Sequence, residues 1–178
     1  ERGFGEPTEA QRLAWPAIHN GENVLVIAPT GSGKTLSAFL AAIDGIIARK
    51  ARAAGGKHGC KRPRKGVRVL YISPLKALGV DVAKNLETPL NGIREEYARM
   101  GLTVPEVSIA MRSGDSTPQE RRAIVSRPPD ILVTTPESLY LMLTSKARTV
   151  LDTVQTVILT TWLKAQLVIH TVLPAEIR

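Results

Sequence analysis

Ala28-Pro29-Thr30-Gly31-Ser32-Gly33-Lys34-Thr35, preceded by Asn23-Val24-Leu25-Val26-Ile27, is the stretch that decides the fold. The apolar run predicts a buried strand, and Leu36, Phe39, Leu40, Ile43, Ile46 and Ile47 after it predict one face of a helix. A strand that enters a Gly-rich turn ending in Lys-Thr and opening a helix builds a triphosphate cradle. In the turn Thr30-Gly31-Ser32-Gly33, the two glycines let the backbone curl until successive N–H groups face phosphate oxygens. Lys34 is placed to reach the β- and γ-phosphates, and the Thr35 hydroxyl to ligate Mg²⁺. The helix that follows aims its positive end at the same charge. Position 28 carries Ala where the pattern opens with Gly. A plain flexible Gly/Ser turn is the competing reading, and the strand-before, helix-after context weighs against it.

The charge pattern narrows the partners. The 178-residue chain suits one domain with a real core, and 43% hydrophobic residues are ordinary for a globular protein. Its net charge is +8, yet nine bases and no acid fall between Arg49 and Arg68. Outside that stretch 15 bases face 16 acids, so the positive character belongs to one Gly/Lys/Arg-rich segment. Such a segment suits nucleic-acid phosphates, or it is a solvated insertion with no partner. No apolar run reaches the ~18–20 residues of a membrane span, so no membrane partner is expected. A single cysteine, Cys60, excludes an internal disulfide and fits a reducing, cytoplasmic setting. Glu1 in place of Met suggests an excerpt of a longer chain.

Apolar strands alternate with amphipathic segments along the chain. Strands are expected at 23–28, 67–73, 107–111, 130–135 and 154–159. Helices are expected from Thr8 as N-cap to Asn20, at 34–48, across 75–99 with a break at Pro89, at 118–126 and at 137–144. Pro136 would be the first residue of the last. This order predicts an α/β fold: a parallel sheet with helices on both faces. Ligands of such sheets sit beyond the carboxyl ends of the strands, where the loops at 28–34, 73–76, 112–117 and 134–137 would gather.

These residues resemble the first RecA-like domain of a superfamily-2 DExH-box helicase of the large helicase-related (Lhr) type, over residues 1–159. Phe4-Gly-Glu-Pro-Thr-Glu-Ala-Gln11 resembles the Q motif, which implies that Gln11 reads the adenine edge. A side-chain amide offers the donor and acceptor that adenine's edge needs. Ala28–Thr35 resembles motif I, in which Ala at the first position is normal. Ser73-Pro74-Leu75-Lys76-Ala-Leu78 resembles motif Ia, and Thr134-Thr135-Pro136-Glu137-Ser-Leu139 resembles motif Ib. Arg112-Ser-Gly114-Asp115-Ser-Thr117 resembles the small Gly-Asp motif. The resemblance implies that Pro74, Leu75, Lys76, Gly114, Asp115, Thr134, Thr135, Pro136 and Glu137 lie along a nucleic-acid strand. Hydroxyls and helix-start N–H groups bind phosphates without reading bases. Taken singly, each motif also reads as turn or cap chemistry, and their order after successive strands is what favours the joint reading. The run Gly66–Val82 points to the Lhr type.

One departure matters. After Val154–Leu159 the family places Asp-Glu-x-His, whereas positions 160–163 are Thr-Thr-Trp-Leu. The Asp would help hold Mg²⁺ and the Glu would polarise the attacking water. Thr160 and Thr161 carry neither charge, and Asp130 and Asp152 precede their strands, at the wrong end of the sheet. No catalytic residue is therefore assigned. Residues 160–178 match nothing expected of the family, which suggests a truncated or frame-shifted product with a tail foreign to the fold. The implied ligands are ATP, Mg²⁺ and single-stranded or duplex nucleic acid, DNA ahead of RNA, with oligomeric state open. Three readings compete: the binding half of an ATP-dependent helicase, a non-catalytic nucleotide- or strand-binding module, and an unrelated P-loop ATPase. The third predicts neither motif Ia nor motif Ib. Loss of later elements is also expected to bare part of one sheet face.

Overall fold

Thirteen short elements wind around one sheet in the structure, a computed structural model that describes residues 6–29, 31–55, 65–161 and 166–171. They run α1 (Glu9–His19), β1 (Val24–Ile27), α2 (Lys34–Gly55), β2 (Val69–Ile72), α3 (Lys76–Asn85) and α4 (Glu87–Arg99). Then come β3 (Ile109–Arg112), α5 (Pro118–Ser126), β4 (Ile131–Thr134), α6 (Pro136–Leu143), a 3-10 turn (Lys146–Val150), β5 (Thr156–Thr161) and β6 (Gln166–Thr171). The sheet order is β1-β6-β5-β2-β4-β3.

Strands β2, β3, β4 and β5 pair in parallel, as the alternation of strands and helices requires. Side chains of period two then divide the sheet into two buried faces. Val69, Tyr71, Ile131, Val133 and Ile158 face Phe39, Ile43 and Ile47 of α2 and Val82, Leu86 and Leu90 of the α3–α4 region. Leu70 and Leu132 point the other way, onto Ile124 of α5, Met142 of α6 and Val150. Helices on both faces are therefore as expected.

The sheet is mixed rather than wholly parallel. β6 runs antiparallel to both of its neighbours, with Val24 opposite Ile169 and Ile158 opposite the same Ile169. The physical reason is the connection: four residues separate β5 from β6, and a parallel partner needs a crossover of a dozen or more. The segment read from sequence as lying outside the fold thus supplies the strand between β1 and β5. Leu167 and Ile169 are buried in the same core as Val26 and Phe39.

Two other expectations are corrected. The break in the 75–99 helix falls at Leu86, and Pro89 is buried inside the first turn of α4. A first-turn proline gives up only an N–H that has no helical partner there. Helix α2 continues to Gly55, so Arg49, Lys50 and Arg52 are helical rather than part of a loop. Ala48, Ala51, Ala53 and Ala54 favour that extension. One face of β1 is open: Leu25 and Ile27 are 55% and 62% exposed.

Candidate nucleotide and nucleic-acid site

The phosphate loop is tied to α1 before any ligand is considered. Thr8 caps α1 by accepting from the Gln11 N–H at 3.3 Å, and the Gln11 Oε1 accepts from the Thr8 N–H at 3.0 Å. This reciprocal pair satisfies two donors at the helix start. The Thr8 hydroxyl also donates to the Ser32 carbonyl at 3.0 Å, and Trp15 Nε1 donates to the Ser37 carbonyl at 3.0 Å. Gln11 is thereby buried against the loop that the sequence assigns to nucleotide.

Within the loop Gly31 and Gly33 take φ of +83° and +78°, a region that side chains rarely enter. A β-carbon on Gly33 would stand 2.7 Å from Gln11 Nε2. The Lys34 ammonium donates to the carbonyls of Ala28 and Pro29 and reaches Ser32 Oγ at 3.4 Å. It sits at the mouth of the turn with its charge turned inward. Thr35 follows in the first turn of α2, exposed, and that turn holds no acid. The turn's conformation, the lysine and the helix start together fit a triphosphate. Thr30 lies outside the described residues.

A divalent metal finds less. Thr35 offers one hydroxyl, and among the described residues no group of three or more His, Cys, Asp or Glu side chains converges. At position 160, where the family's Asp would stand, the half-buried Thr160 donates its hydroxyl to Tyr71 Oη at 2.7 Å. Burial pushes the Tyr71 phenol up, and the hydrogen bond from Thr160 opposes that only in part. Asp130 lies at the opposite, amino end of β4, accepting from Ser108 and Lys50.

The remaining candidate loops gather at the far end of the same sheet edge. The Ser73 N–H donates to the Thr134 carbonyl at 2.9 Å, joining the start of motif Ia to motif Ib. The ammonium of Lys76 pairs with Asp115, joining Ia to the Gly-Asp loop, and holds that carboxyl below the usual carboxylate range. Pro74 is half-buried, while Leu75, Lys76, Gly114, Asp115, Pro136 and Glu137 are exposed. Thr134 and Thr135 are not: they are 1% and 7% exposed. Thr135 Oγ1 is used to cap α6 by accepting from the Ser138 N–H. Two strands, β6 and β5, separate β1 from β2, which puts about 14 Å between the phosphate loop and this cluster.

Sequence reasoning quoted Arg112 only as the opening of the Gly-Asp motif, with no role of its own, and passed over Arg121. Arg112, at the end of β3, is 7% exposed, and Arg121 donates to the Gly114 carbonyl at 2.7 Å. Their Nε atoms are the buried side-chain polar atoms left without a partner among the described residues. Burial, then the neighbouring Arg121 charge, lowers the Arg112 guanidinium from its ordinary value. The available signal was an arginine closing an otherwise apolar strand. A cleft of about 1010 Å³ between α1, α2 and the amino ends of β2 and β5 is mostly apolar, and no residue of the phosphate loop lines it.

A family model for DEAD/DEAH box helicases matches residues 8–160. The chain belongs to the DEAD/DEAH box helicase family. Lhr helicase of Mycolicibacterium smegmatis is 56% identical over 155 residues, which are 87% of this chain and 10% of that protein. The Lhr helicase/uracil glycosylase of Escherichia coli is 51% identical over 158 residues, 89% of this chain and 10% of that one. The solved structure of Mycobacterium smegmatis helicase Lhr bound to ssDNA and AMP-PNP superimposes with a TM-score of 0.77 at 53% identity. It covers 88% of this chain and 18% of that one. The similarity is thus to Lhr-type ATP-dependent helicases, in a RecA-like fold, and the chain spans about a tenth of the length of these curated relatives. No helix among the described residues is long and apolar enough to cross a membrane.

Proposed function

We propose that this chain binds ATP and a nucleic-acid strand as the first, partial RecA-like unit of an Lhr-type helicase, without hydrolysing ATP by itself. The observation that carries the reading is the contrast between two ends of one site. The phosphate loop is formed, with Gly31 and Gly33 in the left-handed region and Lys34 at its mouth. The position of the family's metal-binding acid holds Thr160, whose hydroxyl serves Tyr71. Binding needs the first of these, and hydrolysis needs both.

In this reading Thr30, Gly31, Ser32, Gly33 and Lys34 hold the phosphates, Thr35 is the protein's ligand to Mg²⁺, and Gln11 faces the adenine. Gln11 is half spent on Thr8, so it is the amide nitrogen that remains for the base. Pro74, Leu75, Lys76, Gly114, Asp115 and the start of α6 form the strand path. Arg112 and Arg121 add guanidinium donors with unused Nε–H groups, which suit a phosphate oxygen. Thr134 and Thr135 act there as buried supports, since both residues are buried and their hydroxyls are taken by the Thr135 carbonyl and the Ser138 N–H. The ssDNA named for the Mycobacterium structure favours DNA over RNA. In this reading the family part is residues 1–159, and a role with nucleotide and nucleic acid suits a cytoplasmic setting.

The test is a pair of measurements on the 178-residue chain. A fluorescent ATP analogue should bind, and Lys34→Ala should weaken it about 10- to 100-fold, the worth of a charge-assisted contact. Single-stranded oligo(dT) should bind without stimulating phosphate release. Strand-stimulated hydrolysis abolished by Lys34→Ala would overturn the non-hydrolytic assignment. The alternative, a non-catalytic scaffold that holds nucleotide or a strand, differs only in whether the parent protein carries the acidic motif.

A further inference from the structure

The basic stretch noted in the sequence is not part of the site described so far. Its two ends, Arg49–Lys50 in α2 and Lys65–Arg68 before β2, meet across a cleft of about 420 Å³. Ser108, ahead of β3, and Arg127, Pro128 and Asp130, leading into β4, close its other side. All these segments lie at the amino ends of β2, β3 and β4. The phosphate loop and the motif Ia, Ib and Gly-Asp loops lie at the carboxyl ends. The cleft is therefore on the opposite side of the molecule.

Five cationic side chains line it (Arg49, Lys50, Lys65, Arg68 and Arg127) and one carboxylate, Asp130. That carboxylate is already engaged. Its Oδ2 accepts from Lys50 Nζ at 2.7 Å, from the Ser108 N–H at 2.9 Å and from Ser108 Oγ at 2.8 Å. Lys50 is fixed further by donating to the Glu106 carbonyl at 2.6 Å. Asp130 thus offsets one cation and anchors the floor of the cleft.

The crowding of like charge has a cost. Arg49 is lowered from its ordinary value by burial and by Arg52, and Arg68 by burial and by Arg49, with Asp130 opposing. Complementing the negative carboxyl end of α2 explains a base in its last turn, where Arg52 stands. It does not explain Lys65, Arg68 and Arg127, which come from other segments and converge on the same space. An anion in the cleft relieves that repulsion, and the cleft is wider than one phosphate. The chain between the two lining segments carries five more bases, Arg52, Lys57, Lys61, Arg62 and Arg64.

We propose that this cleft is a second phosphate site, holding the sugar-phosphate backbone of a nucleic acid long enough to extend beyond the strand path. A backbone is favoured over a free anion because the cations come from three separate segments, α2, the approach to β2 and the approach to β4, and are spread over a cleft wider than one phosphate. Binding there is set by charge and is sequence-independent.

The test compares the whole chain with Arg49→Gln/Arg127→Gln, using labelled oligo(dT) of about 8 and about 30 nucleotides across a salt series. The long strand should bind the variant about ten-fold more weakly, with its salt slope reduced by about 1.4, two phosphates' worth. The short strand and the ATP analogue should bind unchanged, and Arg49→Lys/Arg127→Lys should retain the wild-type slope. A long strand indifferent to the substitution overturns the proposal. So does equal weakening of both lengths, which would merge the cleft with the front path. Inorganic tripolyphosphate bound by the wild type and lost in the variant, with the long strand unaffected, would make it a free-phosphate site and also overturn it. If only the long strand binds, and does so through Arg49 and Arg127, this site stands while the strand path proposed above fails.

Discussion

The amide nitrogen of Gln11 lies 2.7 Å from the point where a β-carbon on Gly33 would stand. The helix start that would meet the base and the loop that would meet the phosphates are therefore packed as one unit. Gly33 is held by two independent constraints, a φ of +78° and that contact. Gly33→Ala should cost about 1–2 kcal/mol in backbone strain alone. Nucleotide affinity should fall about ten-fold, because the strained turn distorts and the Gln11 amide must move aside to admit the methyl group. Adding Gln11→Ala removes the clash but not the strain, so the double variant should recover only part of the thermal midpoint. Full recovery would show that φ at this position is not limiting.

The two duties of Gln11 are separable. Its Oε1 completes the cap of α1, and its Nε2 is the group left for a base. Gln11→Glu keeps an acceptor for the Thr8 N–H, in the residue type most at home at that helix position. It removes the donor. The variant should keep wild-type stability yet lose preference for ATP over GTP in competition titrations. Gln11→Ala should lose both, with a stability cost of about 1 kcal/mol. Unchanged preference in both variants would remove Gln11 from the base-binding role.

Much of this was legible in the sequence, and for physical reasons. Thr8 as a cap, a helix start at Pro118 and Pro136 as a first helical residue are local signals, and each of these helices begins at the expected place. The alternation of strands and helices gave the parallel core for the same reason: crossovers leave little choice of direction. What was not legible depends on pairing at a distance. Nothing local to Gln166–Thr171 says that it will fill the place between β1 and β5, because an antiparallel return is written in loop length, not in motif. Nor does the motif at Thr134 and Thr135 reveal that both residues are buried and bonded to neighbouring backbone. Arg112 and Arg121 escaped because their significance lies in a missing partner, and sequence does not show partners.

Tyr71 gives the fold a defined alkaline response. Its phenol is 1% exposed, packed 5.2 Å from the Phe39 ring centre, and burial raises its pKa. A raised folded-state value means the native state holds this proton more tightly than the unfolded chain. The stability involved is fully present below the unfolded value of about 10 and is lost as pH rises through the higher folded one. Tyr71→Phe keeps the ring contact and removes the titration. Urea midpoints should fall between about pH 9.5 and 11 in the wild type, and fall less in the variant. Parallel curves would mean that Tyr71 ionises freely in the folded state.

The strand β6 carries the last expectation. Ile169 is fully buried and lies opposite Val24 on one side and Ile158 on the other, so it bridges the strand that leads into the phosphate loop and the rest of the sheet. Val168, its neighbour on the other face, is half-buried. Ile169→Ala should cost about 2–5 kcal/mol by denaturant unfolding, the range for truncating a core side chain. Val168→Ala should cost clearly less. Because β1 has no other partner strand among the described residues, loosening β6 also loosens the base of the phosphate loop. Nucleotide affinity should therefore fall with Ile169→Ala while the adenine preference is kept, since Gln11 and its cap are untouched. If Ile169→Ala shifts stability by less than about 0.5 kcal/mol, the ordinary range for a surface change, β6 rests beside the sheet rather than completing it.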